Sequence, residues 1–172
     1  MDFQLSDEQL RLQATVRAFA DKECAPLAAE WDRENRVPEH HFEERLIALG
    51  LYGLTLPEEY GGGGRELLDA ILCIEQLARI SPLCAAGVFE SSVGPVRVIE
   101  RFGTDAQKAR WLPAVCRGET EISIGMSEPE AGARSPTCGR RPRRWRAATP
   151  STGPRRGARA AGTAGRTSCT AA

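Results

Sequence analysis

The sequence has no Cys-x-x-Cys pair and only two histidines, His40 and His41. No zinc-ribbon or dithiol-redox spacing is therefore present. Adjacent histidines point in different directions, so beside Glu43 and Glu44 they read as a solvated helix end, and no metal site is expected. No apolar run approaches the roughly 20 residues that span a bilayer. With no charged-then-apolar leader before the first helix and six scattered cysteines (24, 73, 84, 116, 138 and 169), a reduced, cytoplasmic setting is expected. The most informative absence is local. After Gly132 there is no Leu, Ile, Val, Met, Phe, Asp, Glu or Lys, and Trp145 is the only large apolar side chain. Residues 133–172 cannot build a core and are expected to be a disordered Arg/Pro/Gly/Ala-rich tail. The formal net charge of zero hides this division. Ten of the 23 basic residues, all Arg, follow Gly132, so residues 1–132 carry 13 basic against 23 acidic groups.

What remains is a strongly patterned helical segment. Ser6 can cap a first helix while Gln9 reaches back to it, and Leu5 and Leu10 occupy the staple positions. Leu12, Val16, Phe19 and Ala20 make one apolar stripe, and Pro26 places the end of this helix near Cys24. A second helix starts at Pro38, turns Phe42, Leu46 and Leu49 inward and stops at Gly50. The glycine loop "LPEEYGGGG" (56–64) follows, then a third helix with Leu67, Leu68, Ile71, Leu72, Glu75 and Ala78 on one mostly apolar face, expected to be buried on much of its circumference. Two short helices broken near Gly94 and Pro95 precede a sixth, capped by Thr104 with Gln107 and ending near Cys116. Six helices with short loops argue an all-α bundle. From Thr120 the period changes to alternation, so that Ile122, Ile124 and Met126 share one face of a strand. A lone strand leaves its edges unpaired, so a β domain should begin here.

Three phrases in order, "LPEEYGGGG", "RFGTDAQKARWLPAVCRGE" and "ISIGMSEPEAG", make residues 1–132 resemble the N-terminal part of an acyl-CoA dehydrogenase. The resemblance divides the chain into a helical domain (1–118), the start of a middle β domain (119–132) and the tail (133–172). It implies a flavoenzyme, assembled as a homo-oligomer, that oxidises the α,β bond of an acyl-CoA thioester. A carboxylate removes the α proton, the β hydrogen leaves as hydride to FAD, and an electron-transfer flavoprotein reoxidises the flavin. Nucleic acid and membrane are not expected partners. By the same resemblance Ile124, Met126 and Ser127 lie along the flavin, with the Ser127 hydroxyl on its polar edge, although Ser127 is equally placed to start a turn before Pro129. Phe89 to Val93, among them Ser92, fall where the family lines its acyl pocket, and Phe89 and Val93 also suit core packing. Glu58 and Glu59 look like a catalytic pair only by proximity, since the resemblance puts them in a surface loop.

The sequence departs from the family after Gly132, where Ala133 and Arg134 replace the usual Ser-Asp. The remaining strands and the C-terminal bundle that carries the family's catalytic base are missing, so no residue here is assigned as catalytic. The tail's composition is what a G+C-rich coding region yields in the wrong frame. Starting each codon at the third base of the present one, the bases for Arg146 to Gly157 are compatible with Gly-Gly-Tyr-Ala-Val-Asp-Gly-Thr-Lys-Thr-Trp, a family-like hairpin. The same offset allows Leu/Met-Arg-Thr from Thr137 to Arg140 and Ala-Asp-Phe/Leu-Leu/Met-Tyr from Gly165 to Thr170. Three family-like phrases in one frame imply a frameshift near the codons for Gly132 to Arg134, and hence a truncated, inactive dehydrogenase fragment. Two other readings compete. In one, a helical interaction module carries an Arg-rich arm, "RRPRRWR", that contacts nucleic-acid phosphates. That arm lacks Lys and its body is acidic. In the other, a helical protein keeps the family's oligomerising surface without its chemistry.

Overall fold

The computed structural model describes residues 4–34, 40–124 and 169–171. Helix α1 (Asp7–Phe19) begins as its sequence dictates. The Gln9 amide donates to Ser6 Oγ at 3.2 Å and the Ser6 amide donates to Gln9 Oε1 at 3.1 Å, satisfying two of the donors a helix start leaves unpaired. The Gln9 side-chain amide also reaches Asp69 Oδ1 at 3.0 Å, so the cap is tied to a helix 60 residues away. Leu10, expected as half of a staple, is exposed.

The first helix does not end near Cys24. It continues through a π-helical turn (Ala20–Cys24) into α2 (Ala25–Arg33). Pro26 is tolerated because it sits in the first turn of α2, where its missing N–H removes no needed bond, and the wider π turn makes room for its ring. Trp31 of α2 is buried against Phe42, with ring centroids 5.4 Å apart. The described residues thus hold seven α-helical segments where six are expected, α2 being the addition.

Helix α3 (His40–Ala48) buries Phe42 and Leu46 as expected but leaves Leu49 exposed. Its end is a Schellman turn: the Leu51 amide donates to Leu46 O and the Gly50 amide to Ile47 O, with Gly50 at φ 71°. The glycine loop curls over a short 3-10 turn (Glu58–Tyr60), with the Gly63 amide on Gly53 O and the Arg65 amide on Leu54 O. Helices α4 (Leu67–Ala78) and α5 (Pro82–Ser92) pack on each other, and α4 also packs on α1. The orientation of α4 differs from the expected one. Leu67, Leu68 and Ile71 face outward, while Asp69, Ala70, Leu72, Cys73, Gln76 and Leu77 are buried. The helix is apolar on most of its circumference, so its Leu and Ile side chains alone do not choose the inner face, and the side that carries Asp69, the small Ala70 and Cys73, and Gln76 is the one α1 and α5 cover.

Helices α6 (Val96–Phe102) and α7 (Asp105–Cys116) form the far end of the domain. Thr104 and Gln107 make the second capping box, and Gly118, at φ 68°, closes α7 with the second Schellman turn. A second apolar cluster of Leu56, Val96, Leu112, Val115, Cys116 and Ile122 joins this end to strand β1 (Ile122–Ile124). The expected alternation in β1 is not seen: Ile122 and Ser123 are both buried and Ile124 is exposed. The strand is covered on both faces where it passes the helices and emerges from them at Ile124, so position along the strand decides burial there. Strand β2 (Cys169–Ala171) pairs with β1 in parallel, Ile122 opposite Cys169. A strand edge accepts any extended backbone, since its bonds go to peptide groups. The rest of the tail lies outside the described residues. No helix among them is long and apolar enough to cross a membrane.

Candidate functional site

The end of α5 is where the candidate residues meet. Ser81 caps this helix, accepting a hydrogen bond from the Leu83 amide at 3.3 Å, and Pro82 occupies the first turn. The helix stops where the Val93 and Gly94 amides both turn back to Phe89 O, at 2.9 and 2.7 Å. Phe89 is 47 % exposed, and its ring lies so close to Gly94 that a Cβ there would stand 2.8 Å from Cε1. The ring forms one end of an apolar groove of about 280 Å³ between α4 and α5. Ile74, Ala78, Pro82, Ala85 and Ala86 line the rest. None of these side chains is ionisable, so the groove suits an alkyl or aryl group and opposes a charged one.

Ser92 and Val93 do different work from Phe89. Ser92 is fully buried, and its hydroxyl accepts from the Leu54 amide at 3.0 Å and donates to Leu51 O at 3.3 Å. The Thr55 hydroxyl donates to Ser92 O, and Arg97 Nη1 donates to Thr55 O at 3.0 Å. Together these bonds clasp the end of α5 to the 51–55 segment. Val93 is half-buried and packs against the main core. Upstream, the Tyr52 hydroxyl occupies the space beside Gly87 that a Cβ would need. The wall that presents Phe89 is held from behind by buried polar bonds and close packing.

Strand β1 packs beside α5. Ile124 lies at the strand's end, 36 % exposed, and offers an apolar surface on which a ring system could rest. Met126 and Ser127 lie outside the described residues. Glu58 and Glu59 are exposed on the 3-10 turn, away from the groove's lining. The side chains of His40 and His41 lie outside the described residues, and no cluster able to hold a metal occurs among those described.

Sequence reasoning named Ala78 only as part of a core face and did not single out Ile74, Pro82, Ala85 or Ala86. A signal existed: Pro82, Ala85, Ala86 and Phe89 recur at three, four and seven residues, one stripe of a helix. It was masked because α5 is apolar on its other faces too, with Cys84 and Val88 buried in the core. Tyr52 and the clasp partners of Ser92 carried no local signal.

Comparison with known proteins places these features in context. Residues 6–119 match the family model described as the acyl-CoA dehydrogenase N-terminal domain. The glutaryl-CoA dehydrogenase of Desulfococcus multivorans is 35% identical over 135 residues, covering 77% of this chain and 35% of its own length. A glutaryl-CoA dehydrogenase solved as its glutaryl-CoA complex superposes with a TM-score of 0.71 at 35% identity, covering 77% of this chain and 34% of that one. A Mycobacterium smegmatis glutaryl-CoA dehydrogenase solved with FADH2 superposes at 0.68 and 26% identity, covering 74% and 33%. The chain spans about a third of the length of the relatives it matches.

Proposed function

Because this chain belongs to the acyl-CoA dehydrogenase N-terminal domain family, we propose that its helical part is the N-terminal domain of an FAD-dependent acyl-CoA dehydrogenase and that the end of α5 is one wall of its acyl pocket. The observation that carries this reading is the half-exposed Phe89 at the end of an apolar groove, on a helix that packs beside β1. Each methylene of an acyl chain buried there contributes about 0.8 kcal/mol.

FAD, when bound, supplies the hydride acceptor. The chain's own part is to bind, orient and exclude water. Phe89 presents apolar surface to the acyl chain, Ser92 and Val93 hold that surface in place through buried bonds and core packing, and Ile124, Met126 and Ser127 are the residues that would hold the flavin. No residue of this chain is assigned the base that removes the α proton. That group belongs to the portion of the longer relatives that this chain does not match. An electron-transfer flavoprotein as oxidant, a homo-oligomeric assembly and a cytoplasmic setting complete the reading.

The tail follows from the same reading. A family match that covers 77% of the chain leaves out a remainder of about the size of the segment after Gly132, which supports a lost reading frame there. As it stands the chain is then an inactive fragment. Sequencing the gene across codons 128–150 and restoring one base tests this. The 172-residue chain should lack a flavin absorption band and acyl-CoA-dependent dye reduction, and the restored chain should show both. Stoichiometric FAD and turnover in the 172-residue chain would overturn the fragment reading. A restored chain that binds FAD but reduces no dye with straight or branched acyl-CoA would overturn the activity.

A further inference from the structure

Among the described residues, strand β1 has one strand neighbour, and it comes from the far end of the chain. Ile122 is buried in the apolar cluster of Leu56, Val96, Leu112, Val115 and Cys116, and Ser123 beside it is buried too. The edge of β1 is therefore a fixed template, and on pairing only the incoming chain has freedom to lose. The segment on it is Cys169–Ala171, parallel to β1, with Ile122 opposite Cys169, Ser123 opposite Thr170 and Ile124 opposite Ala171. We propose that this edge is a docking site for an extended peptide, recognised through its backbone, and that the chain's own Cys169–Ala171 is the occupant, an exchangeable plug that keeps the edge from pairing with a second copy.

Composition and connection both select this occupant. Residues 167–172 are the longest stretch after Gly132 without Gly, Pro or Arg. Gly and Pro weaken strands, and a charge laid beside a buried strand is costly to desolvate. A parallel neighbour needs a crossover of about a dozen residues or more, and residues 125–168 supply one. Closing a long connection costs little more than closing a short one, and the tether keeps the plug at a high effective concentration. The plug exchanges because two paired three-residue strands have little stability of their own. Once withdrawn, it leaves peptide groups of β1 without that partner, which favours capture of another extended chain. Main-chain bonds supply the pairing, so the docked segment needs an extended backbone rather than a particular sequence. The pairing is thus the same whether the tail is read in frame or out of it, and it does not rest on the chemistry proposed for α5.

The test is hydrogen exchange of the full 172-residue chain under reducing conditions, read by mass spectrometry on peptides covering residues 120–126, with sedimentation velocity for the oligomeric state. Three variants accompany it: a chain ending at Ser168, a chain with Cys169→Pro, Thr170→Pro and Ala171→Pro together, and a chain with Cys169→Val and Thr170→Val. The β1 amides should be protected in the parent. In the shortened and proline chains they should exchange at least about tenfold faster as a monomer, or stay protected only in a concentration-dependent oligomer whose edges pair with each other. The valine chain changes both side chains and keeps the backbone, so its protection should stay within about threefold of the parent's. Peptides covering α4 and α7 should be unchanged in all four chains. Equal protection of β1 in the parent and in a monomeric shortened chain would overturn the proposal. So would loss of protection in the valine chain, or loss throughout the helices on shortening.

Discussion

Replacing Ser92 with alanine isolates the clasp behind the candidate acyl wall. The Ser92 hydroxyl serves a buried amide, that of Leu54, and a backbone carbonyl, that of Leu51. Alanine fits the space but serves neither. An unsatisfied buried polar group costs about 1–3 kcal/mol. The two losses do not add fully, because the 51–55 segment is also held by the Thr55 bond to Ser92 O and the Arg97 bond to Thr55 O, so a loss of roughly 3 kcal/mol is expected. Ser91, its neighbour, is also buried, but its hydroxyl only donates back to Val88 O, three residues away in the same helix, at 3.3 Å. Ser91→Ala removes a redundant bond and gains helix propensity, so it should change stability by less than about 1 kcal/mol. Urea unfolding followed by circular dichroism separates the two. With a slope of about 2 kcal/mol/M the Ser92→Ala midpoint should fall by roughly 1.5 M while that of Ser91→Ala barely moves. Equal shifts, or a Ser92→Ala loss below about 0.5 kcal/mol, would refute the assignment of the clasp to this hydroxyl.

Gly87→Ala lies mid-helix, where alanine ordinarily stabilises by up to about 1 kcal/mol, but its Cβ would overlap the Tyr52 hydroxyl. It should destabilise, and Tyr52→Phe should recover much of the loss in the double variant, read by melting temperature. Gly50→Ala and Gly118→Ala both place a side chain at positive φ, but only Gly118 has a neighbour, Ile47, in the way. A cost of about 1 kcal/mol is expected at Gly50 and about 2–3 at Gly118, and equal midpoints in urea would count against the packing argument. Thr104→Ala removes the cap of α7 and should cost about 1 kcal/mol in the same assay. The Arg45 guanidinium, hydrogen-bonded to Glu23, holds that carboxyl below the usual carboxylate range. A lowered folded value gives stability that is present above the unfolded value, about pH 4.3, and is lost as pH falls through the folded one. Glu23→Gln should therefore be less stable than the parent at neutral pH, and the two should converge on acidification.

The parts of this fold that could be read from the chain alone are those whose cause lies within a few residues. Ser6 with Gln9 and Thr104 with Gln107 cap their helices because a side chain reaches an amide three positions away. Gly50 and Gly118 end helices because only the local backbone must turn left-handed. The change after Gly132 was legible as composition, and the flavin-side phrase as a motif. Misreadings arose where a local rule met a remote constraint. Pro26 signalled a stop, but the π turn before it let the helix run on to Arg33. Leu67, Leu68 and Ile71 looked like a core face, yet α1 and α5 packed against the other side of α4.

The candidate site divides in the same way. Phe89 and Val93 could be named from the sequence, and Phe89 does stand at an open groove. That Ser92 faces the interior, bonded to residues 38 and 41 positions earlier, could not be. By itself the sequence determined the two capping boxes, the glycine ends of two helices, and where family-like chemistry stops. Tertiary structure alone decided which face of each apolar helix is inside and which serine holds the loop. The physical reason is range: caps and turns are satisfied within one turn of chain, whereas a buried face or a buried hydroxyl is satisfied by whatever remote segment packs against it.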